Sequence, residues 1–410
     1  MRQVLLQEEY NDTKHYLEII HGESKGWISR VEINSIFRQW HYKFENLLKQ
    51  EFKMENVYIT LNTFYNTRRR IEYLKELNAH FIDLDIYKTK FSKEQILMNL
   101  NENYFNKSIP RPNLILDSGR GLYLIWIINS VPSKALPLWK AVEEHLYNNL
   151  KEFGADRQAL DPTRILRVPG SINSKSKTRV KILDKYDYIY DLREIQKEFL
   201  PELKPKEKKK GRPKKINYIF RERSLYYARI QDITKLCELR KYNLKGHREL
   251  VLFLYRYYLC SFTEDVKKSL EDVLELNSMF REPLMETEVK RATRSAEKCY
   301  LSKDKQYRYK NETLIDILEI TEEEEKHMTT IISKKEYKRR NNEYNKNKYK
   351  EKLKLEGNMS KKEELEQTRE KIKSLRAKGL KNKEICSELD LAESTLKRHI
   401  TYMKKNGLLK

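Results

Sequence analysis

Eight residues in the first quarter of the chain, His80 to Tyr87 (HFIDLDIY), set its strongest local constraint. The run is rich in aromatic and aliphatic residues that favour a strand, and a strand alternates its side chains with a period of two. Asp83 and Asp85 then leave from one face while Ile82, Leu84 and Ile86 leave from the other. The aliphatic face anchors the strand, and the other face carries two like charges roughly 6–7 Å apart, which repel. Two readings fit: solvated aspartates at a strand end, or a pair that holds a cation between them. Hard divalent ions such as Mg²⁺ or Mn²⁺ prefer such oxygen donors.

Composition narrows the partners. Lys and Arg number 84 against 61 Asp and Glu, a net +23, and such an excess points to a polyanion, nucleic acid before anionic membrane. No run of about 18 apolar residues exists, and the N-terminal MRQVLLQEEY carries acids where a secretory leader needs an apolar stretch. A cytoplasmic protein without a membrane partner is expected. Cys237, Cys260, Cys299 and Cys386 are scattered with no CxxC, so they read as buried or half-buried thiols.

The length of 410 residues suggests about two to four domains. Residues 1–200 read as one domain mixing strands and helices. Its segments are a strand at Val57 to Leu61, a helical stretch IEYLKELN, the HFIDLDIY strand, and a helix after Ser92. Two strands around Asp117-Ser118-Gly119-Arg120-Gly121 follow, a hairpin whose tip lets backbone N–H groups approach an anion. A helix from Leu136 to Phe153 stops at Gly154, and a last strand covers Arg179 to Leu183. Residues 201–216 read as a basic linker: KPKEKKKGRPKK holds eight bases and one acid. Its Lys210, Arg212 and Lys214 also resemble the AT-hook, which lays an arginine in an A·T-rich minor groove; a solvated tether is the other reading. Residues 217–302 read as a helical bundle and 303–358 as a charged linker, within which Lys334 to Lys354 holds ten bases and three acids. That stretch reads either as solvated charge or as a helix touching nucleic acid. In 359–410, Ile385 and Leu389, then Leu396, Ile400 and Met403, recur at helical spacing across a turn, as in a helix-turn-helix; a plain helical hairpin is the alternative. The second helix would offer Glu393, Ser394, Thr395, Lys397 and Arg398 to a major groove.

Four features then stand in fixed order between Val57 and Leu183: hhDhD, SGRGLY, a GAD segment and RxxRxPGSxN. Together they resemble the archaeo-eukaryotic primase superfamily, in particular primases and replication proteins of Firmicute plasmids, phages and mobile elements. The downstream GHR and LNSMFREPLMETEV resemble the helical domain that follows many such cores. The resemblance implies an α+β fold, an RRM-like catalytic core with a small bundle and a terminal helix-turn-helix behind it. It also implies a DNA primase or primase-polymerase acting on single-stranded DNA with NTPs or dNTPs and Mg²⁺ or Mn²⁺. Asp83 and Asp85 would bind metal, with Asp156 the third ligand and Asp161 its competitor. Ser118, Gly119, Arg120, Gly121, Arg164, Arg167, Asn173 and Lys175 would surround the nucleotide. Tyr123 stands where the superfamily usually has a histidine on the phosphates, and a phenol stays uncharged near neutral pH. Surface pairing of Arg164 and Arg167 with Asp156 or Asp161 is the structural alternative for the arginines. No GxxxxGK[ST] occurs, so unwinding falls to a separate replicative helicase. Two other functions compete: a DNA-binding initiator or regulator with a decayed primase-like domain, and a nuclease built on the same acids.

Overall fold

In the computed structural model of the chain, residues 2–200, 218–302, 307, 309–355 and 361–409 are described. They divide into two compact units, 1–332 and 333–410. The larger opens with helix α1 (Arg2–His21), followed by strands β1 (Ile28–Ile33) and β2 (Phe37–Tyr42), short helix α2 (Phe44–Leu47), β3 (Val57–Thr60), β4 (Thr63–Phe64) and β5 (Leu74–Leu84). Helix α3 (Lys93–Asn103), the hairpin β6 (Leu114–Asp117) and β7 (Leu122–Pro132), and helix α4 (Leu136–Leu150) come next. The chain then runs through β8 (Ile165–Arg167), β9 (Ile172–Asn173), β10 (Thr178–Arg179), β11 (Lys181–Lys185) and α5 (Leu192–Phe199).

These strands make one sheet in the order β11-β6-β7-β5-β4 and another in the order β2-β1-β3-β8, with β9 and β10 as a separate pair. Among the described residues, the ladders between these strands are antiparallel. β5 and β7 form the centre of the larger sheet, and Trp126, Phe81, Leu124 and Ile125 are buried there. Helix α4 covers β5 by placing Trp139 flat against His80, with centroids 5.0 Å apart. This is the α+β class that the motifs imply.

Two segments differ from the sequence reading. IEYLKELN contains only a 3₁₀ turn at Ile71–Tyr73; from Leu74 on it is strand. Leu, Lys and Glu have good helix propensity, but Leu77 and Ala79 face Val131 and Ile127 across the β5–β7 ladder, and that burial outweighs local preference. The linker boundaries also differ. Helices α6 (Tyr218–Leu239), α7 (Arg248–Thr263), α8 (Val266–Ser278) and α9 (Glu286–Ser302) pack together, and α10 (Asn311–Ile317), α11 (Glu322–Glu325) and the chain up to Ile332 pack onto them. Leu314, Leu318, Met328 and Ile331 are buried in the same core. Asp232 of α6 fastens this return segment by accepting the N–H groups of Thr329, Thr330 and Ile331 at 2.5–2.8 Å. Residues 311–332 are therefore bundle rather than linker.

The smaller unit begins with α12 (Lys334–Leu355). Its helices α13 (Lys361–Ala377), α14 (Asn382–Glu388) and α15 (Glu393–Lys405) enclose a separate core of Ile372, Leu375, Ile385, Leu396 and Met403. Cys237, Cys260 and Cys299 are buried thiols and Cys386 is half-buried.

Candidate active site

β5 delivers the acid pair to the gap between the two sheets. Ile82, Leu84 and Ile86 are buried and hold the strand end, while Asp83 and Asp85 are half-buried on the other side. The ladder stops after Leu84 because the next partner is a different segment. Gly154 ends the α4 region in a left-handed conformation (φ +87°), where a side chain would meet the Asp85 carbonyl at 2.9 Å. The Asp85 N–H donates to the Gly154 carbonyl at 2.8 Å, and the Asp156 N–H donates to the Asp83 carbonyl at 3.0 Å. Asp83, Asp85 and Asp156 are thereby brought together by two strand-like segments.

Their electrostatics follow from that meeting. Burial first, then the charge of Asp85 and more weakly that of Asp156, push the Asp83 carboxyl up to about 7, against partial relief from Arg164 and Arg167. Asp85 is met by Lys88 at 2.5 Å, and Asp156 by Arg164 at 3.8 Å. Among the described residues no three His, Cys, Asp or Glu side chains converge at ligand distance. Asp161 is not brought to this group. It is buried and accepts the N–H and hydroxyl of Thr163, both at 2.9 Å.

The smaller sheet supplies the opposite wall. Tyr58 on β3 and Arg167 on β8 are register partners, and the guanidinium lies 4.8 Å from the Tyr58 ring centre. Tyr123, directly across the ladder from Asp83, is buried, and its phenol hydrogen-bonds with Arg167. Burial foremost, with the charge of Asp83, raises the phenol well above its ordinary range. Arg167 Nε is buried and finds no acceptor among the described residues. Arg164 is half-buried on the same rim.

The turn 118–121 seats on both walls. A Cβ on Gly121 would lie 2.0 Å from the Leu84 carbonyl oxygen, so only glycine lets the hairpin close this tightly on the end of β5. Asn173 is buried and donates to the Ser118 carbonyl at 2.7 Å. Two amides of the turn are already committed: the Gly119 N–H to Asp117 at 2.7 Å and the Ser118 N–H to the Gly121 carbonyl at 3.0 Å. An anion at this turn would rely on side chains more than the hairpin motif suggests. Arg120 stacks 3.9 Å over the Tyr87 ring, and Lys175 is exposed.

Sequence reasoning missed Lys93, which donates to Asp117 at 2.5 Å and to the Gly119 carbonyl at 2.9 Å. Its position one residue after the Ser92 cap is a recognisable signal; its partner across the hairpin is not. Tyr58, Tyr87 and Lys88 are the other unforeseen neighbours. Of the DNA-contact residues, Lys210, Arg212 and Lys214 lie outside the described residues. Ser394, Lys397 and Arg398 are exposed on α15, where Lys397 pairs with Glu393 at 3.0 Å, and Thr395 is half-buried.

No family model matches the chain. Among solved structures, the archaeo-eukaryotic primase domain of the cyanophage S-2L primase-polymerase overlaps 46% of this chain and 97% of its own, at 16% identity and a TM-score of 0.35. Primase RepB′ overlaps 69% of this chain and 94% of its own, at 11% identity and a TM-score of 0.30. Its catalytic domain, solved with initiator DNA, overlaps 43% and 87%, at 12% identity and 0.29. A "Replication protein" of Clostridium perfringens is far nearer, 70% identical over 397 residues that make up 97% of this chain and 98% of that one. Identity of that degree across nearly the whole of both sequences makes this chain a member of that replication protein's family.

Proposed function

We propose that the chain is a DNA primase or primase-polymerase of a mobile genetic element, extending nucleotides on single-stranded DNA in plasmid or phage replication. The observation that carries this reading is that Asp83, Asp85 and Asp156 come together beside Arg164 and Arg167. The donor set is chemically suited to a hard divalent ion: three carboxylates, one of them desolvated and short of positive charge. Asp83, Asp85 and Asp156 would hold Mg²⁺ or Mn²⁺ once Asp85 leaves Lys88 and Asp156 leaves Arg164. Bound there, such ions would supply Lewis acidity for an attacking 3′-hydroxyl and for departing pyrophosphate.

The other roles rest on the chain's own side chains. Arg164 and Arg167 would take the phosphates of an NTP or dNTP, and the buried Arg167 Nε has no acceptor among the described residues to compete for it. Tyr123 would orient Arg167 rather than touch phosphate as a cation. Asn173 would fix the turn that carries Ser118, Gly119, Arg120 and Gly121, with Lys175 on its rim. Asp161 would hold the backbone that leads to Arg164, whose N–H donates to its carbonyl at 2.9 Å. In the smaller unit, α14 and α15 would act as a helix-turn-helix placing Ser394, Thr395, Lys397 and Arg398 on duplex DNA. Lys210, Arg212 and Lys214 would add minor-groove or phosphate contacts, and a separate helicase would open the template in the cytoplasm.

The test is primer synthesis on a single-stranded template, with ribo- and deoxynucleotides supplied separately. Asp83→Ala with Asp85→Ala is expected to abolish synthesis and leave duplex binding intact; undiminished synthesis would overturn the reading. One observation favours a second reading, a DNA-binding initiator with a silent primase-like domain: Lys88 and Arg164 already engage two of the three acids. In that case the unaltered chain incorporates no labelled nucleotide with either metal.

A further inference from the structure

The function proposed above leaves α12 without a task. Between Lys334 and Lys354 it holds ten bases and three acids, and from Tyr337 to Lys352 every residue but the half-buried Arg340 is exposed. The charges are sorted by face. Glu336, Glu343 and Glu351 recur after seven and eight residues, which in a helix of about 3.6 residues per turn confines them to one narrow stripe. Three ion pairs lie along it: Arg339 and Arg340 with Glu336 at 2.7 and 2.6 Å, and Arg339 with Glu343 at 3.0 Å. The opposite stripe, stepping by four and three residues, holds Lys334, Lys338, Asn341, Asn345, Lys348 and Lys352. All six are exposed, and no acid or apolar residue interrupts them.

The acidic stripe supports the helix with opposite charges three and four residues apart. The other stripe instead sets lysine four residues from lysine at 334 and 338 and at 348 and 352, spacings that repel. Such a face gains stability from a polyanion. Lysine and asparagine are also side-chain types that bind phosphate and read base edges, asparagine pairing with adenine in the major groove. Lys334 to Lys352 spans about 27 Å of helix, close to one turn of duplex, and a major groove about 12 Å wide admits a helix. A single strand would instead reward aromatic side chains on the stripe itself, and Tyr337 and Tyr349 flank it without lying on it. We propose that the Lys334–Lys352 face of α12 is a second DNA-contacting surface, one that lies in the major groove of duplex DNA independently of α15.

Fluorescence anisotropy of the full chain tests this on a duplex of about two helical turns and on one of its strands alone. Alanine favours helix, so alanine substitutions on this exposed face keep α12 folded. Lys338→Ala with Lys348→Ala is expected to weaken duplex binding about tenfold near 0.1 M salt and to reduce the log–log salt slope by about two. Lys346→Ala with Lys350→Ala removes the same charge off the stripe, and a loss below about threefold is expected. Asn341→Ala with Asn345→Ala should weaken duplex binding about fivefold at an unchanged salt slope, because no charge is removed. Equal losses from the two lysine pairs would reduce the surface to diffuse charge and overturn the proposal. So would unchanged duplex affinity, or a loss on the single strand as large as that on the duplex. None of these readouts requires nucleotidyl transfer, so they fail or succeed apart from it.

Discussion

Tyr123 carries the chemistry of the candidate site at its tightest point, because its hydroxyl is spent on Arg167 while its ring stands opposite Asp83. Tyr123→Phe removes one hydrogen bond to a charged group, about 1.5–3 kcal/mol in such settings. The expected result is a KM for nucleotides raised at least about tenfold with the melting temperature lowered by several degrees, and an unaltered KM would show that the phenol does not position Arg167. His21 makes a prediction in pH. Its Nε2 lies 2.9 Å from the Thr60 carbonyl and so must carry the proton, while the amide of Asn78 faces Nδ1 at 3.4 Å. Burial of this neutral tautomer pulls the imidazole down to about 4. A folded pKa below the unfolded one means stability that is complete above pH 6.5 and lost as pH falls toward 4. The loss amounts to about 2–3 kcal/mol between pH 7 and 4.5. Urea unfolding at the two pH values measures it, and His21→Gln should flatten that limb; an equally steep fall in the variant would assign it elsewhere. At this scale the acid pair is legible because a period of two needs only neighbours in sequence. Lys93 and Tyr58 are not, since their partners are set by hairpin closure and by the meeting of two sheets.

The turn between β6 and β7 shows how far a local pattern reaches. Gly-rich composition announces a tight turn, but the reason Gly121 must be glycine is the Leu84 carbonyl oxygen, which belongs to another strand. Gly121→Ala is expected to cost about 1–3 kcal/mol through overpacking and to move the turn off the end of β5. A lowered urea midpoint together with reduced nucleotide incorporation would report it, and full stability would contradict the close approach. Helix α3 is the opposite case, its start readable from Ser92. Ser92 and Gln95 form a capping box, with the Ser92 N–H donating to Gln95 at 2.9 Å and the Gln95 N–H to the Ser92 hydroxyl at 3.3 Å. Ser92→Ala should cost about 1 kcal/mol and lower the melting temperature by a few degrees. A larger loss of activity than of stability would show that the cap also holds Lys93 against Asp117. β5 itself is half legible: its acidic end reads as a strand, while its first turn of residues reads as helix. Only the β7 ladder reverses that preference.

Across the whole molecule, helical periodicity foretells a bundle after residue 217 but not that it is continuous with the domain before it. The junction is a polar network closed to solvent. Arg70 pairs with Glu72 at 3.0 Å with both side chains buried, and Tyr255 of α7 donates to Glu72 at 2.8 Å. Asp272 of α8, itself buried, pairs with the half-buried Lys268 at 2.5 Å in the same unit. Nothing in a single sequence couples Glu72 to Tyr255, 183 positions away. Removing the bundle would expose an ion pair whose partners have already given up solvation, as well as the apolar surface around it. Calorimetry of three chains separates the possibilities. The 1–332 fragment is expected to keep the main transition of the full chain at an unchanged temperature, because its core ends at Ile332. The 1–200 fragment should melt at least about 10 °C lower or aggregate, since it retains Arg70 and Glu72 without Tyr255. If instead 1–200 melted where 1–332 does, the bundle would be a separately folded module, and the buried network would contribute nothing to the stability of the domain that carries the candidate site.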